Sequence, residues 1–113
     1  MLMKTLARCV VGLAVVAWSS VAYADAIDGT WCSAAGDQVT IEGENVTTPG
    51  GQQITGLYTR HTMTFEVPKG EPGAGNKLYF EQLHEEAVRV TTIAPSQSEP
   101  GPHEQWRRCQ VVS

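Results

Sequence analysis

From residue 25 onward the apolar positions of this chain alternate with polar ones over short stretches, and none of them sustains a helical period. The clearest run is His61-Thr62-Met63-Thr64-Phe65-Glu66-Val67. It sets His61, Met63, Phe65 and Val67 on one face and Thr62, Thr64 and Glu66 on the other, the pattern of a half-buried strand. Residues 37–42 repeat the pattern with Val39 and Ile41 inward, and residues 87–93 with Val88 and Val90 inward and Arg89 and Thr91 outward. Residues 78–83 form a further strand whose alternation slips near Gln82, and residues 45–48 form a short one. Residues 53–59 read as one strand, broken or bulged at Gly56 because glycine weakens a strand interior. Residues 105–112 close the chain as the last strand, and the first carries Gly29-Thr30-Trp31.

Turns separate these runs at Ser33 to Gly36, Gly43-Glu44, Pro49-Gly50-Gly51 and His84-Glu85-Glu86. Two longer segments, 68–76 and 94–103, hold so many prolines and glycines that they are loops. About eight short strands at close spacing predict an all-β fold, a small antiparallel meander closed as a barrel or stacked as a sandwich. A length of 113 residues allows one domain.

The first 24 residues follow a different logic. Lys4 and Arg8 precede an apolar run from Cys9 to Val16 that extends to Trp18, and Ala22-Tyr23-Ala24 supplies small residues at a cleavage site. This is the pattern of a secretory signal peptide, 1–24, removed to leave one domain over 25–113; a cut after Ala26 is the neighbouring alternative. The apolar run is shorter than the roughly 20 residues of a spanning helix, so no membrane span is expected after cleavage. A periplasmic or secreted location follows. With Lys4 and Arg8 gone, the formal charge of −4 becomes −6. Nucleic acid and anionic membrane surfaces call for a basic face and are therefore not expected partners.

Maturation also removes Cys9 and leaves Cys32 and Cys109, which an oxidising compartment joins as a disulfide. For a loop of this length the chain-entropy account gives about 4–5 kcal/mol, a large share of the stability of so small a domain. In an even-stranded meander the first and last strands meet antiparallel. A register with Cys32 opposite Cys109 sets Trp31 opposite Gln110 and diagonal to Arg108. Trp31, Trp106 and Arg108 then meet inside the sheet and the disulfide lies outside it, with the guanidinium over an indole.

Gly29-x-Trp31 on a first strand, covered by an arginine from the last, resembles the lipocalin signature of the calycin barrels. That likeness implies barrel closure through Gly29, Trp31, Trp106 and Arg108; it does not extend to a ligand pocket. The opening Ile27-Asp28-Gly29-x-Trp31-Cys32 with the closing Trp106-Arg107-Arg108-Cys109 also resembles a group of small exported bacterial proteins of unknown function, which implies no chemistry. A cysteine after an aromatic on the first strand and another near the end resembles the periplasmic lysozyme inhibitors. Their inhibitory serine–glycine loop has only a loose counterpart in Gly56-Leu57-Tyr58.

No catalytic constellation emerges. His61, His84 and His103 are scattered, whereas a zinc centre needs three or four convergent ligands. No serine sits in a nucleophile elbow, and Gly70-x-x-Gly73-x-Gly75 lacks both the following helix and the lysine of a phosphate loop. The expectation is a non-catalytic exported binding or structural protein without cofactor or metal, its partner an envelope protein or a small ligand. The loop bearing Lys69, Glu71 and Asn76, and the loop 94–103, are its candidate contact surface. The alternative is an inhibitor of an envelope or extracellular hydrolase, with an acidic rim of Glu66, Glu71 and Glu99 facing a basic enzyme.

Overall fold

The structure is a computed structural model and describes residues 26–109. Its elements are all strands: β1 (Gly29–Cys32), β2 (Gln38–Glu42), β3 (Asn45–Thr47), β4 (Gln53–Thr55), β5 (Leu57–Thr59), β6 (Thr62–Glu66), β7 (Lys77–His84), β8 (Ala87–Ile93) and β9 (His103–Arg108). Every pairing is antiparallel, and the strands form one sheet in the order β4-β3-β2-β1-β9-β8-β7-β6-β5. The two ends of that order, β4 and β5, are adjacent in sequence and separated by Gly56 alone. The sheet is thus a nearly closed barrel, the all-β class expected.

The stretch 53–59 reads as one strand in sequence and is two in the structure, because its halves serve opposite ends of the sheet. β4 pairs with β3 and β5 pairs with β6. Gly56 makes the bend, and its N–H donates to the Glu44 carbonyl at 2.9 Å. A Cβ at Gly56 would stand 2.5 Å from the Met63 sulfur and 2.6 Å from the Thr64 carbonyl oxygen. Only the absence of a side chain lets the backbones approach this closely.

Alternation then fills the barrel. Trp31, Val39, Ile41, Val46, Met63, Phe65, Phe80, Val88, Val90 and Trp106 form one buried cluster with Ile27. Phe80 stacks on Phe65 at 5.8 Å and meets the edge of Trp106 at 5.4 Å. The irregularity near Gln82 is a register shift between Gln82 and His84 in the β7–β8 pair, which leaves Leu83 exposed.

Two expectations need correction. His61 does not face inward: it lies exposed in the β5–β6 turn. There the Thr59 hydroxyl accepts from the backbone N–H of His61 and of Thr62, so alternation begins only after the turn. The register of β1 on β9 also differs by two residues, with Trp31 opposite Arg108 and Cys32 opposite Arg107. A slip of two keeps every side chain on its face, so the tryptophans are buried and the partly exposed cysteines lie outside, as expected. The disulfide forms on the diagonal, with 5.1 Å between the Cα atoms. Gln110, the end of the expected last strand, and the signal sequence fall outside the described residues.

Candidate functional site

The two ends of the barrel are built differently. At one end, residues 26–28 cross the opening and tie to the surrounding elements. Ile27 is fully buried; its N–H donates to the Arg60 carbonyl at 2.8 Å and its carbonyl accepts from the Trp31 indole at 2.9 Å. The Ala26 carbonyl accepts from the Gln82 amide at 3.3 Å and from Arg108 Nη2 at 2.9 Å. Arg108 Nη1 donates to the Asp28 carbonyl at 2.8 Å, and Nε donates to the Glu85 carbonyl. The guanidinium carbon lies 4.3 Å from the Trp31 ring centroid, in cation–π range.

Asp28 is the second hub. One carboxylate oxygen accepts from the Gly43 N–H at 2.8 Å and the other from the Tyr58 hydroxyl. That bond to a carboxylate, with burial and the charge of Asp28, pushes the Tyr58 phenol up to about 12. Gly29 completes the arrangement: its φ of 131° is one that side-chain-bearing residues rarely adopt, and a Cβ there would collide with Arg108 Nη1. The opening motif is therefore structural residue by residue. Ile27 plugs, Asp28 ties, Gly29 makes room, Trp31 carries the guanidinium and Cys32 locks. The sequence reading placed Gly29, Trp31 and Arg108 together but missed Asp28, whose partners come from distant turns and strands. Trp106 lies farther along β9 and packs on Phe80.

A groove of about 570 Å³ runs beside this plug, between Gly29, Thr40, Glu42 and Arg108. Both oxygens of the Asp28 carboxylate and all three nitrogens of the Arg108 guanidinium already hold internal partners there.

The opposite end is a cleft of about 410 Å³. Its floor is the apolar interior: Phe65, Val67, Leu78, Val90 and Trp106. Its carboxylates are Asp37, Glu71 and Glu104, and no lysine, arginine or histidine lines it among the described residues. Asp37 and Glu104 continue the inward parity of Val39 and Trp106, which carries their side chains to the mouth rather than to the outer face. The Trp106 indole N–H is buried with no hydrogen-bond partner among the described residues.

Glu71 reaches this mouth from the loop 68–76. It accepts from the Thr48 hydroxyl at 2.6 Å, the Gln52 amide at 3.0 Å and the Gly50 N–H at 3.1 Å. The Thr48 bond first, and then those from Gly50 and Gln52, hold its carboxyl below the ordinary 4.5 against a smaller opposing effect of burial. Glu71 thereby latches the loop to the β3–β4 turn, assisted by the Gln52 amide donating to the Lys69 carbonyl at 3.1 Å. Of the other candidate loop residues, Asn76 lines the cleft and Lys69 is exposed beside it. Of the expected acidic rim, Glu71 belongs to the cleft, whereas Glu66 borders a separate depression with Lys77 and Glu99 lies in the loop 94–102.

Among the described residues no three or more of His, Cys, Asp and Glu are grouped to hold a metal ion. Comparison with protein-family models, with curated proteins and with solved structures found no match.

Proposed function

We propose that this protein is an exported, non-catalytic binding module: a small disulfide-closed β-barrel that uses its acidic end as the contact surface. The observation that carries this reading is the asymmetry of the ends. One is sealed by Arg108, Asp28 and residues 26–28, while the other keeps an apolar floor and three carboxylates. A cleft of this size, mostly apolar with a few polar groups, is the usual form of a small-ligand site.

A screen of chemically mixed small molecules against the isotope-labelled, disulfide-intact protein tests it. Binders should shift resonances of Val67, Leu78, Val90 and Trp106 and leave Gly29 and Asp28 unmoved. A screen in which nothing binds, or in which binders gather beside Arg108, would overturn it. Export is tested separately: the amino terminus of the protein recovered from its producing cells should be Asp25.

One observation favours hydrolase inhibition as a second reading. The loop 68–76 is held by Glu71 and by backbone bonds from the Val67 N–H to the Asn76 carbonyl and from the Gly75 N–H to the Val67 carbonyl, and a loop fixed before binding loses little entropy when it enters an enzyme cleft. Saturable inhibition of a basic envelope hydrolase, abolished by substitution at Lys69, would support it.

A further inference from the structure

The acidic mouth has features that restrict what it can hold. Glu71 is ionised and receives only neutral donors, from Thr48, Gln52 and Gly50, so its charge is solvated but not neutralised. Asp37 and Glu104 are exposed at the same opening, and no cationic side chain of the lining balances them. Three carboxylates around one cleft repel anions and attract a cation. Below them the floor is hydrocarbon and aromatic, which favours contact with an apolar body.

Trp106 is the aromatic part of that floor. It is 5% exposed and meets Phe80 edge-on at 5.4 Å. Among the described residues its buried N–H has no partner, and neither does the buried Gln82 side-chain oxygen toward the plug, whereas the Trp31 N–H is satisfied by the Ile27 carbonyl at 2.9 Å.

We propose, building on the binding-module reading, that the cleft is a site for a small apolar amine: an ammonium group between Asp37 and Glu104 and an apolar body on Phe65, Leu78, Val90 and the Trp106 ring. An amino-acid amide and the amino terminus of a peptide share this chemistry. Both place an ammonium within a few bonds of an apolar side chain.

The test uses the isotope-labelled, disulfide-intact protein and follows the indole N–H resonances of Trp31 and Trp106. L-phenylalaninamide and the peptide Phe-Gly-Gly amide serve as cationic probes, with N-acetylphenylalaninamide as the neutral control and phenylacetate as the anionic one. The cationic probes should move the Trp106 resonance saturably while that of Trp31 stays in place. Binding should weaken by about fivefold in the Asp37→Asn/Glu104→Gln variant, the size expected from two exposed ion pairs. Added salt should weaken it in the unaltered protein as well. The unmoved Trp31 resonance shows that the variant is folded, and the salt series reads the same electrostatics without any substitution. Tighter binding of the peptide amide identifies a chain terminus as the source, and tighter binding of the amino-acid amide a free amine.

A Trp106 resonance unmoved by either cation, or moved equally by phenylacetate, overturns the proposal. If neutral or anionic compounds from the mixed screen bind the cleft instead, the ligand class is wrong and the binding-module reading stands. If nothing binds there, both fall.

Discussion

Replacing Arg108 with alanine should release residues 26–28 from the end of the barrel, and the structure sets the scale. Two of its hydrogen bonds, to the Asp28 and Ala26 carbonyls, are partly buried; the third, to Glu85, is exposed. A bond from a charged donor contributes about 1.5–3 kcal/mol when dry, and partial exposure reduces each of the first two to about 1 kcal/mol. The Ala26 carbonyl keeps the Gln82 amide as a partner, whereas the Asp28 carbonyl loses the Arg108 donor and must turn to water. The guanidinium over Trp31 adds about 1 kcal/mol. The loss is therefore about 3 kcal/mol. With a urea slope of about 1 kcal/mol/M for a small domain, the unfolding midpoint should fall by about 3 M.

Arg108→Lys keeps a charge over the indole but not the planar fork, and should recover about a third of the loss. Arg107→Ala, exposed on the same strand, should change stability by no more than about 0.5 kcal/mol. Hydrogen exchange of the Trp31 indole N–H should accelerate in Arg108→Ala, because its acceptor belongs to the released segment. A midpoint shift below about 0.5 M, with unchanged Trp31 exchange, would mean that burial of Ile27 alone holds the segment and that the guanidinium network is incidental.

Four further outcomes follow from the same geometry. Gly56→Ala should cost about 3 kcal/mol or more by urea unfolding, since its methyl would meet the Thr64 backbone as well as the flexible Met63. Cys32→Ser/Cys109→Ser should lose about 4.5 kcal/mol, the chain-entropy value for a sequence separation of 77, measured against the oxidised protein without reductant. Tyr58 holds its proton more tightly when folded: its contribution is complete below its ordinary value of 10.0 and is lost as pH rises toward about 12, and an alkaline unfolding phase in that window should vanish in Tyr58→Phe. Glu71 has the opposite sign: its contribution is complete above 4.5 and is lost as pH falls through its lower folded value. The amides of residues 68–76 should therefore lose exchange protection in acid, and Glu71→Gln should show that loss at neutral pH.

The barrel was legible where one side chain could be assigned to a face by its neighbours alone. Met63, Phe65, Val88 and Val90 are such positions; the cysteine pair brought the first and last strands together, and strand parity made them antiparallel. Register was not legible, because a slip of two residues changes no face; the contact of Arg108 with Trp31 and the carbonyls beyond it distinguishes the two alignments, and those carbonyls belong to a segment with no strand pattern. His61 was misplaced because alternation continues through a turn that the Thr59 hydroxyl closes. The acidic mouth was hidden for a different reason. Asp37, Glu71 and Glu104 come from two strand ends and a loop, and their convergence depends on how those elements are arranged around the barrel. The one readable hint was that Asp37 shares the inward parity of Val39 and Ile41 in the expected strand 37–42, whereas Glu104 fell outside the expected last strand.

The place of β9 between β1 and β8 bears on the order in which this fold can be completed. A growing chain presents β1 to β4 and β5 to β8 as two separate antiparallel groups, each with one edge waiting for β9, which is synthesised after both. Neither group can dock through that edge until residues 103–108 arrive, and Cys32 meets Cys109 only afterwards. Truncated chains ending before residue 103 therefore keep both edges exposed, where they can pair with other chains. β9 is both the keystone of the native barrel and the step that covers those two edges.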